Sequence, residues 1–62
     1  MYMVYAQTEE DDLFTYCRRA ERALRAARGF QDQGATLVEI SDASGEALEV
    51  EEFEHRYCFL GA

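Results

Sequence analysis

Leu13, Cys17, Ala20, Leu24 and Ala27 follow one another at spacings of four, three, four and three. That is the period of one face of an α-helix, so it predicts an amphipathic helix through the middle of the chain. Phe14, Tyr16 and Ala23 flank the stripe; Arg18, Arg22 and Arg25 fall on the opposite side, with Arg19 beside them. Upstream, the Thr8 hydroxyl is placed to cap free backbone N–H groups, and Glu9, Glu10, Asp11 and Asp12 fill the first turn, where the helix dipole favours acids. Asp11 stands where a capping box has Glu or Gln, so the box is imperfect. The helix is expected to end near Arg28 and Gly29, where glycine can adopt the left-handed cap, with Phe30 packing back onto the core.

An apolar stripe needs a surface to cover, and the flanking segments read as strands. Residues 1–7 are β-rich and apolar on both faces, which leaves the buried side open. In residues 35–41, Thr36, Val38 and Ile40 share one face, and Leu37, Glu39 and Ser41 share the other. Asp42, Ala43, Ser44 and Gly45 form a hairpin turn, followed by a strand over 46–51. There Leu48 and Val50 join Val38 and Ile40 under the helix, which leaves Ala47, Glu49 and Glu51 outside. Phe53, Tyr57 and Phe59 then share the parity of Glu49 and Glu51. A bulge or turn near Glu52 resets the register, or the sheet carries aromatics on both faces; a break and a short last strand over 56–60 is the preferred reading. The expected fold class is α+β: one domain over residues 1–62, with one amphipathic helix on a three- or four-stranded antiparallel sheet, in the order strand, helix, strand, strand.

Size and composition limit what such a domain does. A 62-residue chain buries only roughly 60 % of its unfolded surface and has no room for both a core and a deep cleft. Its 48 % hydrophobic content supports a real core and argues against a disordered acidic tail. Cys17 and Cys58 are expected to be reduced thiols buried as small hydrophobes in a cytoplasmic protein, because neither a signal peptide nor an apolar run of membrane-spanning length is visible.

The residue types for catalysis do not converge. His55 is the sole histidine, and two distant cysteines plus one histidine make no zinc spacing. Ser41 and Ser44 belong to a turn, and neither a phosphate-cradling Gly-rich motif nor an EF-hand spacing occurs. The expectation is therefore a protein that is not an enzyme and uses no cofactor or metal.

Charge carries the functional signal. Thirteen acids oppose six basic residues, all Arg, for a net charge of −7. Residues 1–12 carry −4, residues 13–30 carry +4, and residues 31–62 carry −7. The five arginines of the central segment suit phosphates taken alone, but a molecule at −7 repels nucleic acid and attracts basic surfaces. Glu49, Glu51 and Glu39 are expected on one solvent face, on strands about 4.8 Å apart with alternate residues about 6.6 Å apart. That spacing is comparable with the roughly 6–7 Å between neighbouring phosphates of one nucleic-acid strand.

Residues 23–48, A-L-R-A-A-R-G-F-Q-D-Q-G-A-T-L-V-E-I-S-D-A-S-G-E-A-L, join an Ala- and Arg-bearing helix end to an aromatic-Gln segment, a Gly-Ala-Thr lead-in, an alternating strand and a D-x-x-G turn. This cadence resembles the small helix-plus-hairpin proteins of phages and other mobile elements, among them several anti-CRISPR proteins directed at type I systems. The resemblance implies a DNA-mimic inhibitor in a bacterial host cell. Such a protein blocks recognition of the protospacer-adjacent motif by binding the basic groove of a Cas subunit. The contact residues expected from the charge pattern are Glu9, Glu10, Asp11 and Asp12 at the helix start, or Glu39, Glu46, Glu49, Glu51, Glu52 and Glu54 on the hairpin side. Phe53 or Tyr57 would serve as an anchor. The alternative is a non-enzymatic adaptor or self-associating accessory protein whose apolar interface lies between Phe53 and Phe59.

Overall fold

A computed structural model describes residues 1–57. Its elements are β1 (Tyr2–Gln7), β2 (Asp12–Cys17), α1 (Ala20–Asp32), β3 (Leu37–Ser41), β4 (Ala47–Glu49) and α2 (Val50–Tyr57). The α+β class holds, with four strands in the antiparallel order β2-β1-β3-β4.

The largest departure from expectation lies at residues 8–17, which make a hairpin rather than the start of the helix. The Thr8 hydroxyl does cap backbone donors, but in a tight turn. It accepts from the N–H groups of Glu10 (3.2 Å) and Asp11 (2.9 Å) and donates to the Asp11 carbonyl (3.0 Å). The Thr8 N–H also bonds the Asp11 carbonyl at 2.9 Å, which closes the loop and sets Gln7 opposite Asp12. From there Leu13, Thr15 and Cys17 point toward the core side, while Phe14 and Tyr16 point out. A spacing of four satisfies a strand as well as a helix, so Leu13 and Cys17 share a face in either structure. The β-favouring run Phe14, Thr15, Tyr16, Cys17 decides for the strand.

The helical part of the stripe survives in α1, whose Ala23 and Ala27 are completely buried and let the helix lie close on the sheet. Arg19, extended at φ −117°, precedes the first turn without a side-chain cap. The helix runs past Gly29 and stops at Gly34, which takes φ +95°. There the Ala35 N–H bonds the Phe30 carbonyl (3.1 Å) and the Gly34 N–H bonds the Gln31 carbonyl (3.0 Å). This Schellman pair satisfies the free carbonyls that Gly29 was expected to terminate. Thr36 then ties the start of β3 to the end of β1, its N–H and hydroxyl both donating to the Gln7 carbonyl at 2.8 and 3.0 Å.

On the sheet, Val4, Ala6, Val38, Ile40 and Leu48 face the helices, as alternation requires. Val50 is buried as expected, but the chain turns into α2 at that residue, so the expected strand over 46–51 ends at Glu49. The parity change after Glu51 is thus a change from period 2 to period 3.6, and Val50 and Phe53 share one helical face. The last strand expected over 56–60 is replaced at Arg56 and Tyr57 by helix; its remainder, and Cys58 with it, lies outside the described residues. Cys17 is a half-buried free thiol at the edge of the core.

Phe53 is 1 % exposed and stacks edge-on to Tyr2 (5.7 Å between centroids) and against Tyr57 (4.6 Å). It is a core residue, buried as expected, but packed within the fold rather than presented to a partner. Tyr57 closes the trio and donates its hydroxyl to Asp42 Oδ2 at 3.1 Å. Asp42 Oδ1 also accepts from the Ser44 hydroxyl (2.6 Å) and N–H (2.9 Å). These bonds, the Ser44 hydroxyl first, hold the Asp42 carboxyl below its ordinary value. A folded-state pKa below the unfolded one means that the unfolded chain binds more protons in acid. The contribution is therefore complete above about pH 4 and is lost as pH falls through the folded value. Asp42→Asn is expected to lower Tm at pH 7, and thermal melts from pH 7 to pH 2 should show its deficit against the wild type narrowing below about pH 4.

Candidate functional site

The strand registers sort the acids by position. Gln7, Asp12, Leu37 and Glu49 mark one end of the sheet, where β1 and β4 finish and β2 and β3 begin. The hairpin apex with Glu9, Glu10 and Asp11 is at this end, and so is the first turn of α2 with Glu51 and Glu52. Glu39 lies directly across from Glu49 on the uncovered face of the sheet. Acids from the hairpin, β2, β3, β4 and α2 therefore gather at one pole.

Asp12 opens β2 at this pole and accepts a hydrogen bond from the Tyr5 hydroxyl at 3.1 Å. Partial burial, followed by that bond and the charges of Asp12 and Glu39, raises the Tyr5 phenol above its ordinary value.

Two of the expected contact residues belong elsewhere. Glu46 sits at the opposite end of β4, where its carboxylate meets Arg56 at 3.0 Å. Glu54 lies on α2 and pairs with Arg28 of α1, which ties the two helices together. Their charges are neutralised within the fold, so they leave the candidate set. Glu51 and Glu52 remain at the pole, but they stand on a helix and not on the sheet face expected for them. Glu9, Glu10, Asp11 and Asp12 remain a cluster, but they occupy a hairpin and not a helix start. Among the described residues none of the pole acids forms an ion pair.

The opposite end is basic along β2, where Arg18 and Arg19 follow Cys17 and Arg22 lies in the first turn of α1, with Arg19 3.8 Å from Glu21 in an exposed pair. The molecule is therefore polarised along the sheet as well as along its sequence.

The open face expected for Glu39 and Glu49 also carries aromatics that the sequence did not place there. Phe14 and Tyr16 are 57 % and 65 % exposed there, beside Tyr5, whose ring lies 5.1 Å from that of Phe14. The signal was present as alternation within residues 13–17, masked by the longer helical spacing. A second apolar surface, a shallow groove between α1 and α2, is lined by Ala20, Leu24, Phe53 and Tyr57. Its rim holds the Arg28–Glu54 pair, while His55 and Cys17 lie outside it. Among the described residues no three His, Cys, Asp or Glu side chains are grouped to hold a metal ion. Likewise no helix among them is long and apolar enough to cross a membrane.

No family model matches the chain, and neither the curated proteins nor the solved structures include a match.

Proposed function

We propose that this protein is a non-enzymatic inhibitor that presents its acidic pole to a basic, DNA-reading surface of another protein. The favoured target is a Cas subunit of a type I surveillance complex, whose groove for the protospacer-adjacent motif must carry basic side chains to grip duplex phosphate. The observation that supports this most is the gathering, at one end of the fold, of acids from the β1–β2 turn, β2, β3, β4 and α2 that form no ion pair among the described residues. Glu39 opposite Glu49 is the clearest instance. Like charges facing each other across strands are destabilising, and a small domain has little stability to spare. A bound row of basic side chains turns that repulsion into attraction. The contact set is Glu9, Glu10, Asp11, Asp12, Glu39, Glu49, Glu51 and Glu52, and the site of action is the bacterial cytoplasm.

Electrostatic mimicry has a measurable signature. Affinity for a purified type I surveillance complex, measured by calorimetry across a salt series, should fall steeply as salt rises. Absence of binding, or an affinity insensitive to salt, would remove the proposal.

A further inference from the structure

The sheet has two edges of very different character. β4 is three residues long, is flanked by Glu46, ends in Glu49 and leads straight into α2, so it offers little to pair with. β2 is six residues long, with no proline and with no charge from Leu13 to Cys17. Among the described residues it pairs with β1 alone. In an antiparallel ladder, alternate residues turn their backbone groups to alternate sides. The Thr8–Asp11 bond assigns Leu13, Thr15 and Cys17 to β1, which leaves Asp12, Phe14 and Tyr16 presenting N–H and C=O groups outward. Both faces beside this edge are apolar and incompletely covered: Leu13 and Cys17 are half-buried on one, and Phe14 and Tyr16 are exposed on the other.

The ends of the strand indicate what covers the edge. Asp11 and Asp12 lead into β2, and Arg18 and Arg19, the latter still extended, lead out of it. An antiparallel neighbour with the opposite charge order at each end fits, and a second copy of this chain has that order. We propose that two copies pair through β2, antiparallel and centred on Thr15, to make a continuous eight-stranded sheet. Side chains that face each other across such a pair lie on the same face. In this register Asp12 of each copy meets Arg18 of the other, Asp11 meets Arg19, Phe14 meets Tyr16, and Leu13 meets Cys17. Two ion-pair clusters close the ends, and aromatic pairs fill the middle. The pairing does not rest on the inhibitor reading; it engages Asp11 and Asp12 and leaves Glu9, Glu10, Glu39, Glu49, Glu51 and Glu52 of the acidic pole to a basic partner.

The test is the oligomeric state of the isolated protein by sedimentation equilibrium at low salt, with circular dichroism to verify the fold of each variant. The wild type is expected to be a dimer. Asp12→Arg sets Arg against Arg18 at both ends, and Arg18→Asp sets Asp against Asp12. Each single change should weaken dimerisation by about tenfold or more, because like charges brought together across an interface cost several kcal/mol. The double variant D12R/R18D rebuilds both pairs with reversed sign and should recover the dimer. A monomeric wild type overturns the proposal. So does a dimer that either single change leaves intact, or a double variant no better than the singles.

Discussion

Phe53→Ala is expected to lower Tm by at least about 12 °C and to leave a large unfolded population at room temperature. Phe53 is the largest fully buried side chain, and both Tyr2 and Tyr57 stack on it. Truncating a buried Phe costs about 3–5 kcal/mol, since transfer and cavity terms add. A chain of 62 residues has about 3–9 kcal/mol in total, at roughly 0.05–0.15 kcal/mol per residue. The substitution therefore removes much or all of the stability. Phe53→Leu, which keeps most of the volume, should cost less than about 1.5 kcal/mol and keep the fold. Calorimetric or circular-dichroism melts of the two variants separate a core role from a surface role. A surface anchor would leave Tm unchanged on truncation and would affect partner binding alone.

Glu49→Arg carries the other large effect, and its sign differs between fold and function. Within the fold, Arg at this position faces Glu39 and replaces a like-charge pair by an ion pair. Cross-strand pairs contribute roughly 0.2–1 kcal/mol, so Tm should hold or rise by a few degrees. Toward a basic partner the same change sets positive against positive at the centre of the pole. Affinity should fall about 30-fold or more, the scale expected when a complementary charge is lost at an interface. A purely structural role for Glu49 would link the two readouts, with loss of binding following loss of stability. Here they are expected to move apart.

Much of the fold was legible because periodicity and turn chemistry agreed. Val38, Ile40 and Leu48 turn inward as alternation requires, Val50 is buried at the start of α2, and residues 42–45 form the turn between β3 and β4. The errors fall where one pattern served two structures. Leu13 and Cys17, four apart, share a face in a helix and in a strand, so they extended the apparent helix backward over a hairpin. Thr8 followed by acids reads as a helix cap, yet the same hydroxyl chemistry closes a tight turn. The helix end was expected at Gly29, but the left-handed residue that closes it is Gly34, at φ +95°.

The candidate site followed the same logic. Glu39 and Glu49 were placed on one face by parity, and the register sets them opposite each other. Glu9 to Asp12 were recognised as a cluster but assigned to the wrong element. Glu46 and Glu54 were indistinguishable from the others in sequence, because their partners Arg56 and Arg28 become neighbours only through α2. Phe14 and Tyr16 were hidden as flanks of a helix that is absent at those positions.

An acidic pole that stands in for duplex phosphate must compete with DNA for the same groove. The most direct test is binding of a duplex bearing the protospacer-adjacent motif to a purified type I surveillance complex, with increasing amounts of wild-type protein or Glu49→Arg. The wild type is expected to displace the duplex, whereas Glu49→Arg, folded and at least as stable, should need about 30-fold more protein or fail. Duplex binding untouched by the wild type, or equal displacement by both proteins, would contradict it.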